Sequence, residues 1–296
     1  MKYIALTGGL GNQLFIYAFC LELRAKGVKA VLFVPRIKDS KGYGHQGYEL
    51  DKLFHIQRFD GWYSKPLSLL LQLYSQFIRV FPAKWKPCLF QLIGIRIIKV
   101  PENFIYYPEI FDFKLKNELF MGTWQSEIFF KDVESIVRST YIFTESLLSI
   151  QTLKIASLIQ SQNSISIHIR RGDYLSDQYN NGFVGVCTEE YYSKAIDYIK
   201  RQVKTPLFYI FTDDKEWVNE NFKLENAVYI NHNSGKDSWE DMYLMSQCKH
   251  NIIANSSFSW WGAWLNSNPD KIVIAPKLWW RLFKKDDVVP NDWIRL

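Results

Sequence analysis

Three stretches of this 296-residue chain concentrate side chains that hold anions or move protons. The first runs His168-Ile-Arg170-Arg171-Gly-Asp173-Tyr and follows the strand-like run Ile-Ser-Ile-His-Ile at 165–169. Arginine at a strand end grips phosphate oxygens in pairs and never loses its charge. Asp173 can hold one guanidinium in a productive rotamer. The plainer reading is a structural Arg–Asp pair. Adjacent arginines project to different sides, however, so the stretch supports at least one functional guanidinium. His168 alternates with Ile167 and Ile169 and points away from them. A lone histidine there is by default a satisfied core residue.

The second stretch, Phe-Thr-Asp213-Asp214 (211–214), ends another strand in two carboxylates. One of them caps the helix that follows. A carboxylate pair also suits a metal, but the Asp-x-Asp pattern of metal-dependent sugar-nucleotide transferases is absent from the chain. The third stretch, Asn255-Ser256-Ser257-Phe258, closes a strand and opens an aromatic helix. Hydroxyls and unpaired backbone N–H groups at a helix start form an anion site. Trp260, Trp261 and Trp264 in that helix read as core. Just before it, a helix predicted from Ser238 carries Asp241 in its first turn, where a carboxylate complements the helix dipole.

A fourth motif is uncharged. Thr-Gly-Gly-Leu-Gly-Asn-Gln-Leu-Phe (7–15) stands where a first strand becomes a first helix. Its glycines permit a tight turn and close approach. The spacing is not that of a dinucleotide fingerprint, and no acid follows at the expected distance. Asn12 is either a helix cap or a neutral hydrogen-bonding group facing a cleft.

Elements must position these groups. Apolar runs at 3–7, 30–34, 165–169, 208–212, 228–230, 251–255 and 271–275 read as strands. Helical spacing links Leu14, Ala18, Leu21 and Ala25, and again Tyr192, Ala195, Ile196, Ile199 and Val203 after Thr188, a predicted N-cap. Strands alternating with helices give βαβ units and parallel sheets. Two such series predict an α/β chain of two Rossmann-like domains, 1–162 and 163–296, facing across a cleft, with ligands beyond the strands' carboxyl ends.

Composition bounds the rest. Hydrophobic residues make up 48% of the chain, which excludes a disordered protein. The net charge of +6 suits an acidic partner: a nucleotide, a lipid surface or nucleic acid. Cys20, Cys88, Cys187 and Cys248 are scattered and read as reduced thiols of a cytosolic protein. The sequence shows no secretory signal and no apolar run of spanning length. The stretch 61–101 holds Lys65, Arg79, Lys84, Lys86, Arg96 and Lys99, no acid, and many aromatics. It reads either as a surface that lies on an anionic membrane or as an ordinary helical insertion. The basic residues follow no nucleic-acid motif, so no nucleic-acid partner is expected.

Together, Gly-Gly-Leu-Gly-Asn-Gln-Leu-Phe-Ile-Tyr-Ala, His-Ile-Arg-Arg-Gly-Asp-Tyr, Phe-Thr-Asp-Asp and Ser-Ser-Phe-Ser-Trp-Trp-Gly-Ala-Trp, in that order, resemble the α-1,2-fucosyltransferases of glycosyltransferase family 11. Gly-Thr-Trp-Gln-Ser-Glu-Ile-Phe-Phe (122–130) resembles a family segment too, whereas 39–110 matches weakly. The resemblance implies a GT-B enzyme needing no metal or other cofactor. It would transfer L-fucose from GDP-β-L-fucose, with inversion, to the 2-hydroxyl of a terminal galactose on an oligosaccharide or glycolipid. It also implies roles. Arg170 grips the diphosphate and His168 contacts the guanosine part. Arg171 and Asp173 support that site, and Asp241 reads guanine. Ser257, with Ser256 and Phe258 beside it, caps the β-phosphate, and Asn12 stands near the reacting centre. Gln13, Gln125, Glu127 and Asp213 are expected on the acceptor side or in the cleft. Alternatives are another linkage, a related GDP-sugar donor, or a binding module without catalysis. The expected location is the cytoplasm, peripheral on the inner face of the membrane.

Overall fold

The computed structural model describes residues 1–34, 46–57, 64–77, 80–100, 104–175 and 182–296, with backbone alone at 64–68, 72, 75, 83 and 173. Trp62, Tyr63 and Arg79 and the side chains of Lys65 and Asp173 therefore lie outside the described residues. The chain divides into two units, Met1–Ile142 and Phe143–Leu296.

The first unit runs β1 (Lys2–Ala5), α1 (Leu10–Ala25), β2 (Ala30–Phe33), α2 (Leu50–Phe54), α3 (Ser64–Phe77), α4 (Lys86–Leu92), β3 (Arg96–Lys99), β4 (Glu118–Met121) and α5 (Glu134–Thr140). Its sheet has the order β2-β1-β4-β3, every neighbouring pair parallel. β1 and β2 are buried along their whole length, which is why they read as continuous apolar runs. β3 and β4 escape that reading because β3 is charged at both ends and only partly buried, and β4 begins with Glu118. The sheet tolerates Glu118 at the head of β4 because Lys2 Nζ donates to its Oε2 at 2.6 Å, both side chains being buried. Behind the sheet, Phe19 of α1 stacks on Trp124 with ring centroids 4.3 Å apart.

The second unit runs α6 (Ile150–Ser161), β5 (Ser164–Ile169), α7 (Glu189–Gln202), β6 (Leu207–Thr212), α8 (Lys215–Asn221), β7 (Ala227–Tyr229), α9 (Trp239–Gln247), β8 (His250–Ile252), α10 (Ser257–Leu265), β9 (Val273–Ala275) and β10 (Ile294–Arg295). Its parallel sheet has the order β10-β9-β8-β5-β6-β7. Counted from β5, that is the 3-2-1-4-5-6 order of a dinucleotide-fold sheet. Thr188 caps α7 by accepting the Tyr191 N–H at 3.2 Å. Trp260, Trp261 and Trp264 are buried, and Trp260 Nε1 donates to the Val288 carbonyl at 2.8 Å, so the tryptophan cluster is core.

The packing boundary falls before α6 rather than after it at 162. Phe143 stacks on Trp239 of α9 at 5.9 Å. Ser149 donates its hydroxyl to Glu240 at 2.8 Å while capping α6 through the Thr152 N–H. These contacts tie 143–161 to α9, a relation that helical spacing alone does not reveal. Within each unit the first strand is flanked on both sides, β5 by β6 and β8, β1 by β2 and β4. The order in which strands are added reverses there, which is where sheets of this kind bind ligands, beyond the strands' carboxyl ends.

Candidate active site

In the second unit the three chemistry-bearing stretches end β5, β6 and β8, which are neighbours in the sheet. Beyond β5, Arg170 Nε donates to Asp213 Oδ2 at 3.0 Å. The Arg171 N–H donates to the other oxygen, Asp213 Oδ1, at 2.9 Å. One carboxylate at the end of β6 thus fixes both the backbone and the first guanidinium of the β5 turn. A Cβ on Gly172 would stand 2.8 Å from Asp213 Oδ2, so the turn closes this tightly only on glycine. Arg171 goes elsewhere. Its Nε donates to Asp214 Oδ2 at 3.3 Å, and its guanidinium lies 3.6 Å from the Trp217 ring centroid. Asp214 also caps α8 by accepting the Trp217 N–H at 3.2 Å. The adjacent arginines do diverge, Arg170 to Asp213 and Arg171 to Asp214; the Asp173 side chain, which sequence reasoning offered as a partner, lies outside the described residues.

His168 is buried near the end of β5, and its Nδ1 has no hydrogen-bond partner among the described residues. Burial, and secondly the Arg170 charge, push its pKa down to about 3, so the ring is neutral at physiological pH. A neutral imidazole has one donor and one acceptor nitrogen, and an unmatched buried nitrogen asks for a partner. The Phe258 ring, at the start of α10, stands 6.0 Å away. Ser256 is the α10 N-cap: its Oγ accepts the Phe258 N–H at 3.3 Å. Ser257, the first helical residue, is half-buried. The β5 and β8 turns are joined where the Tyr174 hydroxyl donates to the Asn255 carbonyl at 2.8 Å. Asn255 in turn donates to the Phe183 and Trp279 carbonyls.

Asp241 lies in the first turn of α9, buried, with Oδ1 accepting from Asn233 Nδ2 at 2.7 Å. Burial pushes its pKa up to about 7, against the opposing pull of that hydrogen bond. Lys215 Nζ donates to the Asn231 and Asn233 carbonyls, both at 2.8 Å, and so holds the loop that carries Asn233. Asn233 and Lys215 were not legible as site residues. The only signal would have been a buried acid's need for a donor.

At the carboxyl end of β1 in the first unit the groups are amides. Gly8 has φ of +76°, and a Cβ there would meet Asn12 Nδ2 at 2.5 Å. Asn12 Oδ1 accepts from Gln125 Nε2 at 2.6 Å, which joins the β1 and β4 turns. Gln13 is fully buried and works as a clamp. Its Nε2 donates to the Gly8 and Gly47 carbonyls at 3.1 and 2.6 Å, and its Oε1 accepts the Glu49 N–H at 3.1 Å. Glu127 is half-buried at the start of a 3-10 turn capped by Ser126. Glu49, which sequence reasoning passed over, accepts the Leu10 N–H, and burial pushes its carboxyl up to about 7.

Comparison with known proteins places this geometry. Residues 107–296 match the sequence model of Glycosyl transferase family 11. An alpha-1,2-colitosyltransferase of Escherichia coli is 34% identical over 98% of this chain and 97% of its own. The O-antigen biosynthesis glycosyltransferase WbnK of Escherichia coli is 30% identical over 99% of this chain and all of its own. A galactoside alpha-(1,2)-fucosyltransferase 1 of Saimiri boliviensis boliviensis is 23% identical over 64% of this chain and 54% of its own. Among solved structures, the NodZ alpha-1,6-fucosyltransferase co-crystallised with GDP superposes with a TM-score of 0.50 at 10% identity, covering 88% of this chain and 90% of that one. The fold is accordingly GT-B, with two Rossmann-like units.

Proposed function

The chain belongs to glycosyl transferase family 11, and from that premise we propose that it transfers L-fucose from GDP-β-L-fucose to the 2-hydroxyl of a terminal galactose, with inversion and without a metal ion. The observation that supports this most is the Arg170–Asp213 pair at the carboxyl end of β5, beside the strand whose end opens α10. In the reaction, the galactose oxygen attacks the sugar's anomeric carbon on the face opposite GDP. The bond from that carbon to the β-phosphate oxygen breaks, and its electron pair leaves with GDP. The hydroxyl proton passes to a base. Charge therefore gathers on the diphosphate as an oxocarbenium-like sugar forms. A fixed guanidinium and the donors at the start of α10 stabilise that charge as it develops. Asp213 holds Arg170 before the sugar donor arrives, so less reorganisation is needed at the transition state.

Asp241, with Asn233 on one of its oxygens, is the acceptor we assign to the guanine N–H groups, and His168 offers the nucleoside its unmatched Nδ1. Asn12 and Gln125 serve the acceptor sugar, where neutral amides orient hydroxyls without opposing the cation. Gln13, clamped on three backbone groups, supports this turn rather than touching substrate. The colitosyltransferase relative favours a second donor, colitose carried on the same nucleotide.

One assay tests the reading: the purified chain with GDP-fucose and, separately, GDP-colitose, each with lactose-type and N-acetyllactosamine-type acceptors, followed by linkage determination. Fucosyl transfer to the galactose 2-hydroxyl that persists in excess chelator is expected. Colitosyl transfer alone would replace the sugar donor. Loss of activity on chelation, restored only by a divalent ion, would remove the metal-free scheme.

A further inference from the structure

The basic stretch of the first unit has a built face. α3 is anchored on one side: Leu71 and Phe90 are buried with Val31, Phe33 and Leu119 of the sheet core, and Tyr74 packs edge-on against Phe90 at 5.4 Å. On the other side, Leu69, Leu73 and Phe77 recur every fourth residue and Leu70 stands beside them. Helical geometry puts these four in one stripe about 100° wide. They are 55%, 54%, 63% and 62% exposed. The 3-10 turn Ala83–Trp85 then presents Trp85, 53% exposed, between Lys84 and Lys86. No acid occurs anywhere in 61–101.

We propose that this face is a docking surface for an anionic lipid bilayer, with the Leu69–Leu73–Phe77 stripe and Trp85 entering the interface and the lysines meeting lipid phosphates. Charge decides against a second copy of the chain. A twofold contact on this face would bring Lys84 and Lys86 of the two copies together, whereas anionic lipid neutralises them. Tryptophan flanked by lysine suits the boundary between headgroup and acyl chain. Among the described residues no helix is long and apolar enough to cross a membrane, so the contact is peripheral. This inference is independent of the sugar donor and acceptor.

The test is co-sedimentation of the full chain with vesicles of phosphatidylcholine alone or mixed with phosphatidylglycerol. Binding to the mixed vesicles that weakens with salt is expected. The double variant Leu70→Asp/Phe77→Asp should bind at least about ten-fold more weakly, and Lys84→Glu/Lys86→Glu about five-fold per cation or more. Ile150→Asp, at an exposed apolar position of the second unit, should bind as the parent does. Because Leu70 and Phe77 point outward, turnover of a water-soluble acceptor should be unchanged in their variant, which also reports that it is folded. A parent chain that stays in the supernatant, or a Leu70→Asp/Phe77→Asp variant that sediments like the parent, overturns the proposal. So does a concentration-dependent dimer that the same substitutions abolish. A different sugar donor would leave the vesicle result untouched.

Discussion

The carboxyl ends of β5 and β1 share one local architecture and differ in chemistry. Each is a buried strand running into a glycine-bearing turn, joined by a side-chain hydrogen bond to the turn of a neighbouring strand. Beyond β5 stand two guanidiniums, each with its own carboxylate, and the strand's own end carries a neutral imidazole. Beyond β1 stand Asn12, Gln13 and Gln125, held by amide hydrogen bonds. A cationic turn can offset a departing dianion, while a neutral one can orient a hydroxyl without competing for the charge. On the function proposed above, that difference suits the nucleotide to the second unit and the acceptor sugar to the first.

The largest effects should separate the two turns. Arg170→Ala removes the guanidinium while leaving Asp213 for the Arg171 N–H. A loss of about 10²–10³ in kcat is expected, as for other preorganised donors at a developing anion. Asn12→Ala should cost about two- to ten-fold, because a neutral hydrogen bond contributes about 0.5–1.5 kcal/mol. Steady-state kinetics with both variants check the ranking. Equal losses would mean that the amide turn also carries charge-stabilising work. Full activity of Arg170→Ala would remove the mechanism.

Asp241 sharpens the comparison through pH. Its carboxyl is pushed up to about 7, and the ionised form accepts guanine N–H groups with a full charge and both oxygens, whereas the protonated form turns one oxygen into a donor. GDP affinity should therefore be constant above about pH 7.5 and fall by up to about ten-fold per unit below pH 7, as a raised pKa requires. His168, pushed down to about 3, does not titrate in that window. Asp241→Asn should flatten the profile and weaken binding at pH 8 by roughly 10- to 100-fold, as expected when a charged hydrogen bond is lost. Calorimetric titration with GDP across pH reads both. A pH-independent affinity in the parent would detach Asp241 from guanine.

Much of this was legible before any coordinates. β1, β2 and β6 announce themselves as near-continuous apolar runs, β5 through its alternating isoleucines, and β8 through the isoleucines at its end and just beyond. Arg170 stands out because two arginines at a strand end have few structural uses. What stayed hidden depends on neighbours distant in sequence. β4 begins with a charge whose main partner, Lys2, is 116 residues away in sequence. Asp213, which pairs with Arg170, comes from the end of β6, some forty residues along the chain. Gln13 looked like a cleft residue because its periodicity cannot show that three backbone groups of two loops converge on it. Glu49 sits in 39–110, where motif resemblance fades and a lone acid carries no pattern.

Glu49 gives the smallest and most diagnostic effect, because it is the one carboxyl among those discussed in the amide-rich turn whose charge the fold opposes. Its pKa is raised from about 4.5 to about 7 by burial, with Lys52 pulling the other way. The sign follows directly. Below about pH 4 neither the folded nor the unfolded chain is ionised here, and the carboxyl costs nothing. As pH rises through 4.5 the unfolded chain ionises first, and stability declines until the folded state ionises near 7. Above that the cost is constant, at most about 3 kcal/mol and nearer 1–2 for a half-buried group. Glu49→Gln keeps an oxygen for the Leu10 N–H and never ionises. The variant should equal the parent at pH 4 and exceed it at pH 8, read by urea denaturation at both values. A Gln variant that is no more stable at pH 8 would show that the carboxylate is already well accommodated, and the turn would then be less neutral than its amides suggest. A variant that gains stability but loses transfer would mean that the charge is kept for use: a carboxylate poised near 7 beside Asn12's turn is placed to take a hydroxyl proton.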